Sequence, residues 1–545
     1  MKRGLYARLA WTGMVKNKRL YLPYGLSAAG MVLMFYILTG LSGSPVLEHM
    51  SGGGSSAIIL RLGTVVIAVF ALIFLFYTHS FLIRRREREF GLYNVLGMGK
   101  GSIARILLWE TAITYGLTTG TGLLLGVVLY KLAELGMVRL LRVPVTYTLT
   151  VSVSSLLAAA ALFAVIHTLI LLNSLRQLHG VSAVALLRSE SVGEKPPRAQ
   201  WVLTAAGVVL LGGAYALAVS IKEPLAAFLW FFAAVIMVII ATYLLFISGS
   251  VTLCRGLQRN KKYYYRPQHF VSVASMTYRM KRNGAGLASV CILATMVLVM
   301  LSSSACLYFG AEDSLKATYP HEFALEVWLE NSADMPKLQE ALTKAGAAYG
   351  VNVWEKGTVE PGSGNTWSAA FDTGLSQEQQ LALSRAIDEA LGDTDITWNY
   401  FRSYRAEAAD DFYGTYGSLF FIGIVLSVLF ICAAVLIIYY KQLCEGYEDQ
   451  PRFAIMQKVG MTAADIRRSV NSQLLTVFFL PMVGAALHMA FAFPMIRRML
   501  LLFELHNTGL FIATALVSFA VLAVVYTLVY KATSNAYYRI VKGSV

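Results

Sequence analysis

Apolar residues in this chain come in long unbroken runs, not in the short alternating patterns of a water-soluble core. Ten stretches hold their apolar character over about 20 residues, the length a helix needs to cross a bilayer. They fall at roughly 21–41, 57–82, 105–130, 148–173, 201–220, 225–249, 284–310, 414–440, 470–493 and 508–531. The pattern predicts an all-α polytopic membrane protein with about ten transmembrane helices. Helices 5 and 6 are separated only by Ile221-Lys222-Glu223 and Pro224, which predicts a tight hairpin. The first stretch follows basic residues, as a secretory signal does. It is too long for a signal core and has no clear cleavage site, so it reads as a retained helix.

The pattern changes between helices 7 and 8. Alternating apolar residues predict strands over 322–329, 351–359, 366–373 and 396–404. Helical spacing, as in Leu338, Leu342 and Ala345, predicts helices over 334–348 and 376–391. Pro361-Gly362-Ser363-Gly364-Asn365 marks a turn. The order β-α-β-β-α-β predicts a small α+β domain of the ferredoxin-like, split-βαβ kind.

Composition fits lipid as the solvent. Of the 545 residues, 57% are hydrophobic and 14% charged, against about 25% charged in soluble domains. The net charge of +15 is uneven. Segment 311–412 holds 18 acidic and 7 basic residues, a balance of −11, which leaves +26 on the rest. Basic clusters fill alternate loops, at Lys16-Asn17-Lys18-Arg19, Arg84-Arg85-Arg86, Arg176 to Arg198, Arg255 to Arg282 and Lys441 to Arg468. The positive-inside rule then puts both termini in the cytoplasm and 311–412 outside, and accounts for the charge without nucleic acid. Arg139, Arg142, Arg497 and Arg498 fall on the outer side, where long side chains snorkel to the interface. The five cysteines show no metal spacing and none lies in 311–412, which argues against a disulfide framework.

An internal repeat organises the chain. Thr12–Met34 aligns with Thr277–Val299 at an offset of 265, matching Thr12 to Thr277, Lys16 to Lys281 and Met31-Val32-Leu33 to Met296-Val297-Leu298. Phe90–Arg105 aligns with Phe453–Arg468 at an offset of 363, matching Gly97-Met98 to Gly460-Met461. The offset grows by 98 residues, close to the size of the inserted domain. The expected plan is a parallel duplication: a first four-helix unit over 1–178, a linker and hairpin over 179–265, the start of the second unit over 266–310, the extracellular domain over 311–412, and the rest of the second unit over 413–545.

Two loop motifs stand out. One runs Glu89-Phe90-Gly91-Leu92 to Leu96-Gly97-Met98 after helix 2, with Gly97 a plausible helix C-cap. The other carries Phe453, Ile455, Met456, Val459, Gly460 and Met461 after helix 8. A charged anchor with an interfacial helix is a common arrangement. Two aligned copies point further, to a pair of amphipathic helices docking into clefts of a cytoplasmic partner. Lys261, Lys262 and Arg266, among tyrosines, are candidates for anionic headgroups, beside the plainer reading as positive-inside sequence. His167 and His488, deep in helices 4 and 9, read as neutral packing histidines. Trp109 and Glu110 read as interfacial anchors. Gly97-Met98-Gly99-Lys100-Gly101-Ser102 has the wrong spacing for a phosphate-binding loop, so no nucleotide site is expected.

These loops resemble those of the FtsX-like (MacB-type) ABC permeases, and the whole plan is similar to the BceB-type antimicrobial-peptide resistance permeases of Gram-positive cell membranes. The motifs that carry the likeness are Lys16 to Tyr21, Met276 to Asn283, and Tyr440 to Leu443 with Glu448-Asp449 and Arg452-Phe453. The resemblance implies a permease, not an enzyme, working by mechanotransmission for peptide resistance or sensing. It implies a separate cytoplasmic ABC ATPase in two copies carrying ATP and Mg, membrane lipid, a peptide or lipid-linked substrate and a sensor histidine kinase as partners. The domain at 311–412 is about half the usual BceB-type size. Lipid or lipoprotein export, and signalling to a wall hydrolase or kinase, stay open as alternatives.

Overall fold

The computed structural model describes residues 4–48, 53–142, 152–179, 200–259, 267–360, 365–392, 398–458 and 463–542. Lipid has no partner for a backbone amide, so chain that crosses it must satisfy its own hydrogen bonds. The observed elements are accordingly long helices. In chain order they are α1 (Leu5–Lys16), α2 (Lys18–Ser42), the single turn α3 (Pro45–Glu48), α4 (Gly53–Val95), α5 (Lys100–Leu141), α6 (Val153–His179), α7 (Trp201–Ser220), α8 (Pro224–Leu244) and α9 (Ser250–Arg259). There follow α10 (Pro267–Phe309) and α11 (Ala311–Thr318), then the sheet-containing segment, then α14 (Arg405–Lys458), α15 (Ala463–Leu500) and α16 (Thr508–Lys542). The segment between holds β1 (Phe323–Leu329), α12 (Met335–Ala347), β2 (Gly357–Val359), β3 (Thr366–Phe371), α13 (Gln377–Gly392) and β4 (Trp398–Tyr404).

Nine helical segments among the described residues are long and apolar enough to span a membrane, where the sequence predicts ten. The missing one is 105–130. It is helical throughout, inside α5, with threonines and glycines on the face that packs inward. Thr111, Thr114, Thr118 and Thr119 are buried there. Gly122 and Gly126 form a small-xxx-small ridge against α2. A Cβ on Gly122 would stand 2.6 Å from the Ala29 carbonyl oxygen, and one on Gly126 2.8 Å from the Tyr36 ring. The predicted hairpin is present as α7 and α8, which pack on each other.

Packing joins the chain around two parallel helices. α2 packs on α4 and α5, and α10 packs on α14, α15 and α16. α4 meets α14 along its length. Gly63 lies against Ile422, Phe70 against Phe430 (ring centroids 4.9 Å apart) and Phe81 against Tyr440 (5.4 Å). The numbers rise together, so the two helices run in the same direction. One continuous apolar core spans this seam. His488 ties the hairpin to α15, with Nδ1 2.6 Å from Tyr215 OH and Nε2 3.1 Å from Thr242 Oγ1. His167 Nδ1 lies 2.8 Å from the Phe163 carbonyl oxygen. Both are held as packing histidines.

The sheet is antiparallel with order β2-β3-β1-β4. The second strand is shorter than its apolar run predicts, because Trp354–Lys356 forms a turn of 3-10 helix. Phe323, Leu325 and Val327 of β1 point into a core with Leu338, Leu342, Leu383 and Ile387 of the two helices. β4 passes directly into α14, Tyr404 to Arg405, with no linker. Arg405 Nε donates to the Tyr319 carbonyl oxygen at 2.7 Å, and the Arg142 guanidinium, at the end of α5, lies 3.7 Å from the centre of the Tyr413 ring.

A Gly122→Leu substitution forces the α2–α5 contact open and is expected to cost about 1–3 kcal/mol or more by overpacking. Gly116→Leu, on an open face with nothing within 4 Å, is expected to be neutral. Thermal midpoints of the detergent-solubilised protein, followed by size-exclusion of a fluorescent fusion, separate the two.

Candidate functional site

The first motif is not a separate interfacial helix. α4 continues through its membrane span without a break and ends in a glycine cap. The Gly97 N–H donates to the Asn94 carbonyl at 3.1 Å and the Met98 N–H to the Tyr93 carbonyl at 2.9 Å. This is the Schellman arrangement, and Gly97 takes the positive φ of 91° that it requires. The next helix starts at Lys100, so Leu96–Gly99 is a tight elbow.

The last turns of α4 have two faces. Phe90 is buried with Ile83, Ile103, Leu107 and Leu178, and Gly91 is buried beside it. Leu92, Val95 and Leu96 point outward, at 52, 63 and 71% exposure. Three exposed aliphatic side chains on one elbow form a knob that is costly to leave in water. Of the residues expected to meet a partner, Leu92 and Leu96 are on this knob, while Phe90 and Gly91 support it from inside. Glu89 is partly exposed and Met98 half-buried. Val95 belongs to the knob and was not expected.

The knob is held by a buried charge cluster. Arg86, read from sequence as one more positive-inside arginine, is 1% exposed. Its Nη1 donates to Glu110 Oε2 and to Tyr21 OH, both at 2.5 Å, and its Nε donates to Glu89 Oε2 at 2.8 Å. Tyr21 OH donates to the other oxygen of Glu110, and Asn17 Nδ2 donates to Glu89 Oε1 at 2.8 Å. Glu110 is therefore no interfacial anchor: it is 1% exposed, whereas its neighbour Trp109 is 47% exposed. The Arg86 guanidinium also lies 5.0 Å from the Phe90 ring centre. Burial works against its charge, but Glu110, Tyr21 and Glu89 outweigh that and hold Arg86 above its ordinary pKa. The cluster joins α2, α4 and α5 at the point where α4 leaves its span. Spacing could not reveal it, because its members come from three helices.

The second motif extends α14 in the same way. Ile455, which the repeat aligns with Leu92, is 62% exposed. Phe453 and Met456 lie on the same helix; Val459, Gly460 and Met461 fall outside the described residues, as do Lys261, Lys262 and Arg266. The fixing chemistry differs between the halves. The position aligned with Arg86 is Asp449, which is buried and accepts from Tyr537 OH at 2.5 Å. From Phe81 and Tyr440, which touch, α4 runs about 16 Å further to Leu92 and α14 about 22 Å further to Ile455. The two exposed apolar positions thus project from one end of the molecule.

Comparison with known proteins matches this doubled geometry. The family model described as FtsX-like permease C-terminal fits the chain twice, over residues 61–179 and 424–541. The chain carries two FtsX-like permease domains. The matches begin 363 residues apart, the displacement that aligns the two loop motifs. The chain is 27% identical to the bacitracin export permease protein BceB of Halalkalibacterium halodurans, over 61% of this chain and 52% of that protein. It is 24% identical to the BceB protein of Bacillus subtilis, over 57% of this chain and 49% of that protein. The ABC transporter permease protein YxdM of Bacillus subtilis is 21% identical over 89% of this chain and 93% of its own length. The chain thus spans about half the length of the two BceB relatives. The FtsX-like permease is a multi-pass membrane protein.

Removing one partner from the Arg86–Glu110 pair leaves a buried charge, so Glu110→Met is expected to destabilise by about 3–5 kcal/mol. The double replacement Arg86→Met with Glu110→Met is expected to recover much of that loss. A double-mutant cycle on thermal midpoints measures the coupling.

Proposed function

We propose that this chain is the membrane subunit of an ABC transporter in which a separate cytoplasmic ATPase drives a domain on the far side of the membrane. The observation that carries the reading is α14. It is one helix of 54 residues, about 80 Å long, against a hydrocarbon core of about 30 Å. One end grows out of β4 of the α/β domain and the other carries Ile455. A displacement at Ile455 is passed to the domain through a helix with no loop to absorb it, its hydrogen-bond ladder missing one rung at Pro451. α4, parallel to α14 and capped by Leu92, Val95 and Leu96, supplies the second attachment. Two knobs from two repeats suit two ATPase copies, which bring ATP and Mg; this chain holds no nucleotide or metal cofactor in this reading.

In the same reading both termini and the basic loops are cytoplasmic, and 311–412 is an extracellular ferredoxin-like domain, a description supported by its strand–helix–strand–strand–helix–strand order. Bacitracin export, the activity in the name of the BceB relatives, makes peptide antibiotics the favoured substrate class, through resistance or sensing and in company with a sensor kinase. The acidic balance of the domain suits a cationic peptide.

Three outcomes test the reading. Leu92→Asp and Ile455→Asp each remove an apolar contact worth about 1.5–3 kcal/mol, so ATPase binding is expected to weaken by roughly 10- to 100-fold in pull-down titrations, with the chain still inserted. Two glycines placed after Lys441, within α14, are expected to leave the ATPase bound while peptide no longer stimulates ATP hydrolysis. A deletion strain is expected to be sensitised to wall-targeting peptides. An unchanged growth-inhibition profile would move the substrate to lipid or lipoprotein and leave the lever in place.

A further inference from the structure

A groove of about 730 Å³ runs between α4 and α6. Its length is apolar, walled by Ile73 and Phe76 of α4 and Leu169 and Leu172 of α6. One end is polar: Ser80, Asn173 and Arg176 meet there, and Asn173 Nδ2 donates to Ser80 Oγ at 3.2 Å. Ser80 and Arg176 lie within one turn of the ends of their spans, at Ile83 and Leu178. Arg176 is exposed and forms no hydrogen bond or ion pair among the described residues. An unpaired guanidinium at the headgroup level, heading an apolar trough open to the bilayer, matches one kind of molecule: a phosphate with an acyl chain behind it. The neighbouring sequence is basic, with Arg84 and Arg85 one turn further on, which favours an anionic lipid over a neutral one.

We propose that this groove binds one anionic phospholipid of the adjoining leaflet, its phosphate on Arg176 and one acyl chain between α4 and α6. The site has a direct mechanical neighbour. Leu171, Leu175 and Leu178, on the last turns of α6, pack on the cluster of Ile83, Phe90, Ile103 and Leu107 that seats the exposed knob. A lipid between α4 and α6 fixes their separation where that seat is built. Lipid occupancy therefore sets how firmly the knob is presented, a consequence that rests on the ATPase-docking reading above.

The test uses the full chain, reconstituted into vesicles of equal parts phosphatidylethanolamine and phosphatidylglycerol, extracted gently and analysed by native mass spectrometry. One phosphatidylglycerol is expected to stay with each chain in preference to phosphatidylethanolamine. Arg176→Gln is expected to reduce its retention about tenfold, the loss of one charge-assisted contact. Arg176→Lys is expected to keep most of it. Leu172→Trp, which fills the trough and keeps the cation, is expected to lose retention too. Equal retention of both lipids by the unaltered chain, or unchanged retention in Arg176→Gln, overturns the site. A second measurement adds the ATPase: hydrolysis is expected to rise with phosphatidylglycerol content, and not to do so in Arg176→Gln. Lipid retention lost with this dependence unchanged overturns the regulatory role. If instead Leu92→Asp leaves hydrolysis and ATPase binding intact while Arg176→Gln still loses its lipid, the docking reading fails and the lipid site stands.

Discussion

A bilayer offers no partner to a backbone amide, and most of this architecture follows from that single constraint. The chain can leave the helical state only where water or protein meets it, so its sheet is confined to 323–404 and its turns to the ends of long rods. Where the helices outrun the bilayer they have a choice, and here they continue. α4 and α14, at 43 and 54 residues, are longer than a bilayer core requires and carry exposed apolar residues near their C-terminal ends. The same stiffness that membrane insertion demands becomes available for transmitting force.

Extending a helix out of the membrane brings a second problem, because its orientation must be fixed where lipid no longer packs around it. The first half uses charge. Arg86 is buried at the mouth of the bundle and is tolerated there because Glu110, Tyr21 and Glu89 surround it. With Nη1 of Arg86 bonded across helices to Tyr21 and Glu110, and its Nε to Glu89, the cluster has few alternative arrangements, so it specifies the angle between α4 and α5 more tightly than apolar contact does. The second half places Asp449 at the aligned position and pairs it with Tyr537 on α16.

How much of this was legible in the sequence depended on the range of the interaction. Local signals read well. Gly97 announced its cap, the apolar runs announced nine spans, and alternation announced the strands. Gly122 and Gly126 gave no sign in the sequence of how closely α5 approaches α2. Long-range pairing was invisible. Arg86 sat in a basic run and Glu110 beside an exposed tryptophan, 24 residues apart, and nothing in either neighbourhood marked them as a buried pair. The continuity of α4 and α14 was hidden for a similar reason, since a burst of charge after an apolar stretch reads as the end of a helix whether or not the helix ends.

The direct passage from β4 into α14 has a counterpart in the first half, and the two differ in what they carry. α2 and α4 are joined by a short connection that contains no domain, whereas α10 and α14 are separated by the whole α/β insert. The molecule therefore resembles a beam balance with a pan on one side only. In the lever reading proposed above, an equal push on both arms would meet more drag on the loaded one. The asymmetry of the duplicated scaffold is concentrated in a single junction, Tyr404 to Arg405.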